Sequence, residues 1–141
     1  MRCLLLLVLL CLPAFPQSPE ADVHKIFDDQ IAAWNRGDLE TFMRGYWKSP
    51  KLTFFGNNTE THGWEETLSR YRQRYQAEGK EMGKLDFKSL NITPLGNEHA
   101  LARGRWHLVF KSGKEATGMT TLVLQKMPEG WRIIHDHSSG E

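Results

Sequence analysis

The feature that most constrains this chain is a long stretch with a period of two in its second half. From Leu85 to Ser139, apolar and polar residues alternate in four runs that are separated by turn signals rich in glycine and proline. Alternation places successive side chains on opposite faces of a strand, and short turns favour antiparallel neighbours. The sequence therefore predicts a four-stranded antiparallel meander, with a bulge near Ser89–Leu90 where the alternation slips.

The part of the chain before the meander has a helical period instead. After the start signal Ser18–Pro19, apolar residues recur at helical spacing up to Trp34, and Gly37–Asp38 ends this helix and caps the next one. The second apolar stripe runs from Leu39 to Trp47 and is stopped by Ser49–Pro50.

A short hairpin over residues 52–62 and a third helix from about Trp64 to Gln76 follow these two helices. Helices ahead of a long antiparallel sheet define the α+β class. Because a long twisted sheet curls, we expect a cone-shaped curved antiparallel sheet, made of the C-terminal meander and the early hairpin, wrapped on three N-terminal helices.

Residues 1–18 have the composition of a secretory signal peptide. Arg2 precedes the apolar run Leu4–Leu12, which is too short to span a bilayer. We expect cleavage near residue 18, or as late as residue 21, leaving one exported domain over residues 19–141 that is periplasmic or secreted and not held in a membrane. Lipid attachment at Cys11 stays an open alternative.

Cysteine content and charge exclude several classes of function for the domain. Cys3 and Cys11 both lie in the leader, so the domain has no disulfide and no thiol chemistry. Removing the leader takes away one of 18 basic residues and none of the 17 acidic residues, so the formal charges balance. This balance argues against nucleic-acid binding, which needs an excess of positive charge.

Three short motifs carry a resemblance to a known family. They are Ala33–Leu39 at the first helix join, His62–Trp64 before the third helix, and the closing stretch Gly130–Ser138. The chain resembles the SnoaL-like branch of the nuclear transport factor 2-like superfamily, and its closing stretch is also similar to the calcium/calmodulin-dependent kinase II association domain. The resemblance covers nearly the whole domain, and implies a cone fold and a homodimer. The superfamily includes ketosteroid isomerases, cyclases and hydrolases alongside non-catalytic domains, so function must be argued from the site.

The candidate site lies where the closing strand leaves the core. Simple alternation puts Trp131, Ile133, His135 and His137 on one face and Asp136 on the other. We therefore expect His135 and His137 at the mouth of the cone, as polar anchors for a ligand or as catalytic bases. Six aromatic residues are expected to line the cavity with them, namely Trp34, Tyr46, Trp47, Phe54, Trp64 and Trp106.

Two chemistries find little support in the sequence. An isomerase-type mechanism needs a carboxylate base just after the first strand, and Leu52–Asn57 contains none. A metal site would begin with His135 and His137, but two ligands make only half a site, so we predict no metal and no cofactor.

These observations leave three candidate functions. The first is an exported, dimeric domain that binds a small, mainly apolar molecule, with catalysis unproven. The second is an isomerase, cyclase or hydrolase using a histidine base, and the third is a non-catalytic assembly domain. A dimer would pair the outer face of the meander, whose side chains are of mixed polarity: His99, Leu101, Arg103, Arg105, His107, Val109, Thr117, Thr121, Val123 and Gln125.

Overall fold

The structure is a computed structural model that describes residues 18–140. The predicted signal peptide lies outside the described residues, apart from its final Ser18. The helices and strands in chain order are α1 (Pro19–Asn35), α2 (Leu39–Met43), β1 (Thr53–Gly56), β2 (Thr59–His62), α3 (Trp64–Tyr75), β3 (Lys84–Leu95), β4 (His99–Val109), β5 (Glu115–Met127) and β6 (Gly130–Ser138). No helix in this range is long and apolar enough to cross a membrane.

The helix boundaries follow the capping signals of the sequence. Ser18 is the N-cap of α1, and its Oγ accepts a hydrogen bond from the Ala21 amide at 3.4 Å. Gly37, with φ of 81°, allows the sharp exit after α1, because a residue with a Cβ rarely adopts this conformation. Asp38 caps α2 by accepting a hydrogen bond from the Thr41 amide at 3.0 Å. Hydrogen bonds from the backbone and side chain of Thr41, and then from Arg36, lower the pKa of Asp38 to about 2.

Helix α2 is shorter than its apolar stripe predicts. It ends at Met43, and the chain then runs alongside β6 instead of continuing the helix. The amide of Trp47 donates to the carbonyl of Ile133, and the amide of Ile133 donates to the carbonyl of Gly45, both at 2.9 Å. The prediction of a helix through Trp47 was wrong, because pairing with a strand that comes ninety residues later outweighed the local helical spacing.

The six strands form one sheet in the order β2-β1-β6-β5-β4-β3. The α+β class and the curved, unclosed sheet packed against helices confirm the predicted fold, with β1 and β2 as the early hairpin. The prediction of a wholly antiparallel sheet was wrong in one respect, because β1 pairs with β6 in parallel. This pairing brings the start of the domain against its end, and residue alternation contains no information about such a long-range neighbour.

Two bulges interrupt the regular ladder of the sheet. The first lies in β3 between Phe87 and Ser89, beside the predicted position. The second lies in the β5–β6 pair, where Leu124 faces Ile133 but Val123 faces His135, so that Ile134 is an extra residue. A bulge of one residue reverses the faces of everything beyond it. The second bulge therefore decides which side chains in the last part of β6 face the interior.

The core lies between the inner face of the sheet and the helices. Val23, Phe27 and Trp34 of α1 are almost fully buried against it, and the ring of Phe27 meets that of Phe87 edge-on at 5.6 Å between centroids. Each such side chain contributes about 1.5–3 kcal/mol by leaving water. Packing on this face holds α1 across the sheet and leaves a cavity between α1, α3 and the strands.

Candidate functional site

A cavity of about 110 Å³ opens between the inner face of the sheet and the helices. Nine aromatic side chains line it, and their rings meet mainly edge to face, as Trp34 does with Phe42 at 5.0 Å and with Tyr75 at 4.8 Å between centroids. Such contacts fix the rings relative to one another. Polar side chains interrupt this wall, and groups of this kind give a small-molecule site its specificity.

Asp136 is the carboxyl group of this cavity. Its side chain is only 3% exposed and lines the cavity together with Ile133 and Ser138 of the same strand. The bulge at Ile134 is the cause, because it lets Trp131 and Ile133 point inward and still returns Asp136 and Ser138 to the same face. The prediction that Asp136 faces away from the cavity was wrong for this reason.

The same bulge places His135 and His137 on the outer face of the sheet. His135 forms a 2.7 Å hydrogen bond through Nδ1 with Thr53 Oγ1, and the centre of the Phe55 ring lies 5.1 Å from that of His135 and 6.1 Å from that of His137. Burial, and then the charge of His137, lower the pKa of His135. Neither imidazole lines the cavity, so the expectation that they stand at its mouth was wrong.

A chain of hydroxyl groups surrounds the carboxyl group of Asp136. Tyr46 Oη donates to Oδ2 at 2.8 Å, and Ser138 Oγ donates to Oδ1 at 2.6 Å. A hydroxyl has a single proton to give, so Tyr71 donates to Tyr46 across 3.3 Å and Thr120 donates to Ser138 across 2.8 Å. Both carboxyl oxygens are thus held from within the protein, and each keeps a second lone pair.

The surroundings of Asp136 change its acidity. Burial raises its pKa from 3.8 to about 6, while the hydrogen bonds from Ser138 and Tyr46 and the charges of His137 and Arg70 oppose this rise. Burial, followed by the nearby charge of Asp136, raises the pKa of Tyr46 and Tyr71 well above 10. The two phenols therefore remain proton donors, and Asp136 is the group that titrates near neutrality.

The rim of the cavity is formed partly by the last described residues of the chain. The indole nitrogen of Trp106 donates to the carbonyl of Ser139 at 3.0 Å, and the amide of Gly140 donates to Asn57 Oδ1 at 3.1 Å. The segment crosses so close to Gly118 that a Cβ there would lie 1.8 Å from the Ser139 oxygen. The glycine in β5 lets the segment cross here.

The aromatic residues predicted to line the cavity divide into two groups. Trp34, Tyr46, Phe54 and Trp106 do line it. Trp47 and Trp64 do not, because Trp47 follows the short helix into pairing with β6 and the Trp64 indole donates to the Met43 carbonyl at 2.9 Å. Sequence reasoning missed Asp136, Ser138, Tyr71 and Arg70. The adjacent apolar pair Ile133–Ile134 breaks the alternation of β6 and was the available signal for the bulge.

Residues 18–140 contain no group of three or more His, Cys, Asp or Glu side chains placed to hold a metal ion. On the outer face, the ring of Phe55 lies near three imidazoles, at 6.4 Å from His62 as well as near His135 and His137. What the cavity can do chemically therefore depends on Asp136 and its hydroxyl neighbours.

A curved six-stranded sheet that encloses an aromatic cavity against three helices defines a cone-fold protein of the nuclear transport factor 2-like superfamily. Within this superfamily the chain belongs to the SnoaL-like domain family, whose sequence profile matches residues 23–140. Both statements confirm the resemblance carried by the three sequence motifs.

Solved structures with the same fold support this assignment. A nuclear transport factor 2-like protein of unknown function from Shewanella oneidensis is 37% identical, with a TM-score of 0.79 over 86% of this chain and 99% of its own. A putative calcium/calmodulin-dependent protein kinase II association domain from Xanthomonas campestris is 21% identical, with a TM-score of 0.67 over 92% and 93% of the two chains. A ketosteroid isomerase-like protein from Erwinia carotovora atroseptica is 16% identical, with a TM-score of 0.68 over 85% and 94%. Among curated proteins, none matches the chain significantly.

Proposed function

We propose that this domain binds a small, mainly apolar molecule in the cavity, with a hydroxyl group of the ligand donating to a free lone pair of Asp136 beside Tyr46. The observation that carries the proposal is a buried carboxyl group, held by two hydroxyl donors, in the wall of an open aromatic cavity. An aromatic wall favours an apolar ligand body, and a few fixed polar groups orient it. The likeness to a superfamily that includes ligand-binding and isomerase-like domains is consistent with this role.

Binding is tested with benzyl alcohol and acetophenone as probes, followed by ligand-observed NMR on the mature domain. We expect both probes to bind, and Asp136→Asn to weaken benzyl alcohol about tenfold, because a hydrogen bond to a charged group is worth more than one to a neutral amide. Asp86→Asn is the matched control, since Asp86 is an exposed carboxylate paired with Lys88 outside the cavity. Absence of binding by both probes, or equal weakening by the two variants, overturns the proposal.

Acid–base catalysis at Asp136 is a second candidate function. The observation that favours it is a carboxyl group in the cavity wall whose two oxygens each keep a free lone pair. Burial raises its pKa to about 6, which leaves both protonation states available near neutral pH. In deuterated water, a base at this position removes a proton from the methyl group of acetophenone and the resulting enolate takes up a deuteron from solvent. We expect exchange that reaches a plateau above pH 6 and is lost in Asp136→Asn. Exchange no faster than in buffer would restrict the cavity to binding.

We also propose that the domain is exported after removal of residues 1–18. The charged start, short apolar run and prolines of that segment support this. Cleavage after Ser18 removes the N-cap of α1 but none of the helices and strands. Intact mass measurement of protein purified from its host would show the mature start, and a chain beginning at Met1 would contradict export by cleavage.

A further inference from the structure

The charged side chains that line the cavity are distributed unevenly along it. Asp136 is buried at the sheet, whereas Arg70 is half-buried and Arg74 exposed, one helical turn apart on α3. The exposed members of the lining mark where the cavity meets solvent, and they are Asn57, Arg74 and Ser139. A ligand in this cavity therefore meets a buried carboxyl group at the sheet, the half-buried guanidinium of Arg70 in the wall and the exposed guanidinium of Arg74.

The arginines of α3 are not equivalent. Arg72 points away from the cavity and forms an ion pair with Glu40. Arg70 donates to Thr61 Oγ1 at 2.9 Å and to the Gly56 carbonyl at 3.4 Å, with its guanidinium carbon 5.3 Å from the centre of the Phe54 ring. These contacts fix Arg70 in the wall and leave part of its donor set for a ligand, since a guanidinium carries five N–H donors.

Arg74 has the most donors free for a ligand. Its guanidinium carbon lies 5.5 Å from the centre of the Tyr75 ring, which is itself part of the cavity wall. Over residues 18–140, no carboxylate lies within 4.0 Å of the nitrogens of Arg70 or Arg74, although Arg36 and Arg72 each have such a partner. Over this range, the lining of the cavity thus carries two guanidinium groups without a carboxylate in ion-pair contact.

We propose that the ligand of this cavity is a small molecule with a carboxylate at one end, bound by Arg74 with Arg70, and an uncharged hydroxyl group at the other end, donating to Asp136. The inference rests on the proposed function and narrows its ligand class. A guanidinium offers a planar pair of donors that matches the two oxygens of a carboxylate. The aromatic wall beside it excludes water from part of this contact, which strengthens the attraction.

The test compares a carboxylate with its neutral amide. 4-Hydroxyphenylacetate and 4-hydroxyphenylacetamide share a phenol and an aromatic body and differ in the charge at the far end. Dissociation constants are measured by NMR titration of the mature domain and of two variants, Arg74→Gln and Arg72→Gln. The second is the matched control, because it removes a charge from the same helix outside the cavity.

We expect the carboxylate to bind at least tenfold more tightly than the amide. Arg74→Gln should remove most of this difference by weakening the carboxylate and leaving the amide unchanged, while Arg72→Gln should change neither constant. Arg70→Gln, checked first for its melting temperature because Arg70 also holds Thr61, should act in the same direction as Arg74→Gln.

Two outcomes would overturn the inference, and they are distinguishable. If the amide binds as tightly as the carboxylate, or if Arg74→Gln and Arg72→Gln act alike, the carboxylate end is wrong and the proposed binding function stands. If neither compound binds at millimolar concentration, and the neutral probes benzyl alcohol and acetophenone also fail, both the inference and the proposed function fall.

Discussion

At the scale of single residues, Asp136 is the side chain on which the functional argument depends. Its burial would make it a destabilising charge without the hydroxyls of Tyr46 and Ser138, because a buried carboxylate without donors is costly. The hydrogen bonds lower this cost without removing it, since the pKa remains raised to about 6. The protein therefore keeps a group at its inner sheet face that works against stability when ionised, which is common in functional sites.

The raised pKa of Asp136 predicts how stability changes with pH. Between 3.8 and about 6 the folded state holds more protons at this site than the unfolded state, so the free energy of unfolding falls as pH rises through this window. The loss amounts to about 3 kcal/mol at neutral pH. Asp136→Asn should remove it, because the amide cannot ionise and still offers an acceptor to one hydroxyl and a donor to the other.

Urea unfolding of the wild-type domain and of Asp136→Asn from pH 4 to pH 7.5 measures this effect. The variant should gain stability relative to wild type as pH rises, and level off above about pH 6.5. Asp86→Asn serves as the control for loss of an exposed carboxylate. Parallel pH profiles for wild type and Asp136→Asn would contradict the raised pKa.

At the scale of secondary structure, the site depends on one extra residue in β6. Ile134 lets the strand bury Trp131 and Ile133 on the core side and then return Asp136 to that side. The bulge in β3 was predictable from its slip in alternation, and the pair Ile133–Ile134 is a similar slip. This second slip was harder to recognise, because the side chains of His135, Asp136 and His137 resume a regular alternation beyond it. The tertiary contact of Gly45–Trp47 with Ile133 lies next to this bulge and anchors the strand there.

Gly118 in β5 makes a second prediction at this scale. A Cβ at this position would lie 1.8 Å from the Ser139 carbonyl oxygen and 2.6 Å from the Trp106 ring, so Gly118→Ala must displace the segment that forms part of the rim. We expect the substitution to increase amide hydrogen exchange at Ser139 and Gly140 and to cost about 1–3 kcal/mol of stability, as for overpacked core positions.

Gly113→Ala is the comparison for Gly118→Ala, because a Cβ at Gly113 meets no atom within 4 Å and the strain there is confined to a turn with φ of 81°. That variant should leave exchange at the rim unchanged. Unaltered exchange at Ser139 and Gly140 in Gly118→Ala would show that the close crossing does not hold the rim in place.

At the scale of the whole molecule, the parallel pairing of β1 with β6 makes the cone. It joins the hairpin and α3 to the meander, so that Arg70, Tyr71 and Arg74 of α3 line the same cavity as Asp136 of β6. The cavity is therefore shared between the two halves of the domain. Ligand binding and the docking of α3 should be linked for this reason, since both use the same residues.

The outer face of the sheet carries the remaining prediction. We propose that two copies of the domain pair through the outer face of β4 and β5, where Met119 is 50% exposed between arginine and threonine side chains. Near the twofold axis of an isologous dimer, a residue meets the same residue of the second copy. An arginine introduced at position 119 would therefore repel its counterpart across the interface. Light scattering should give twice the protomer mass for wild type and one protomer mass for Met119→Arg. A monomeric wild-type domain would exclude this interface.

The sequence by itself determined the elements, the α+β class, the caps of the first two helices, the β3 bulge and the supply of aromatic residues for the cavity. These follow from local periodicity and capping, which depend on residues only a few positions apart. The tertiary structure alone decided which face of β6 holds Asp136, how early α2 stops, and that Arg74 rather than Arg72 stands at the cavity. Each of these was fixed by the pairing of β6 with segments far away in the sequence or by packing across the sheet, because one bulge or one parallel neighbour redirects side chains that alternation assigns to the opposite face.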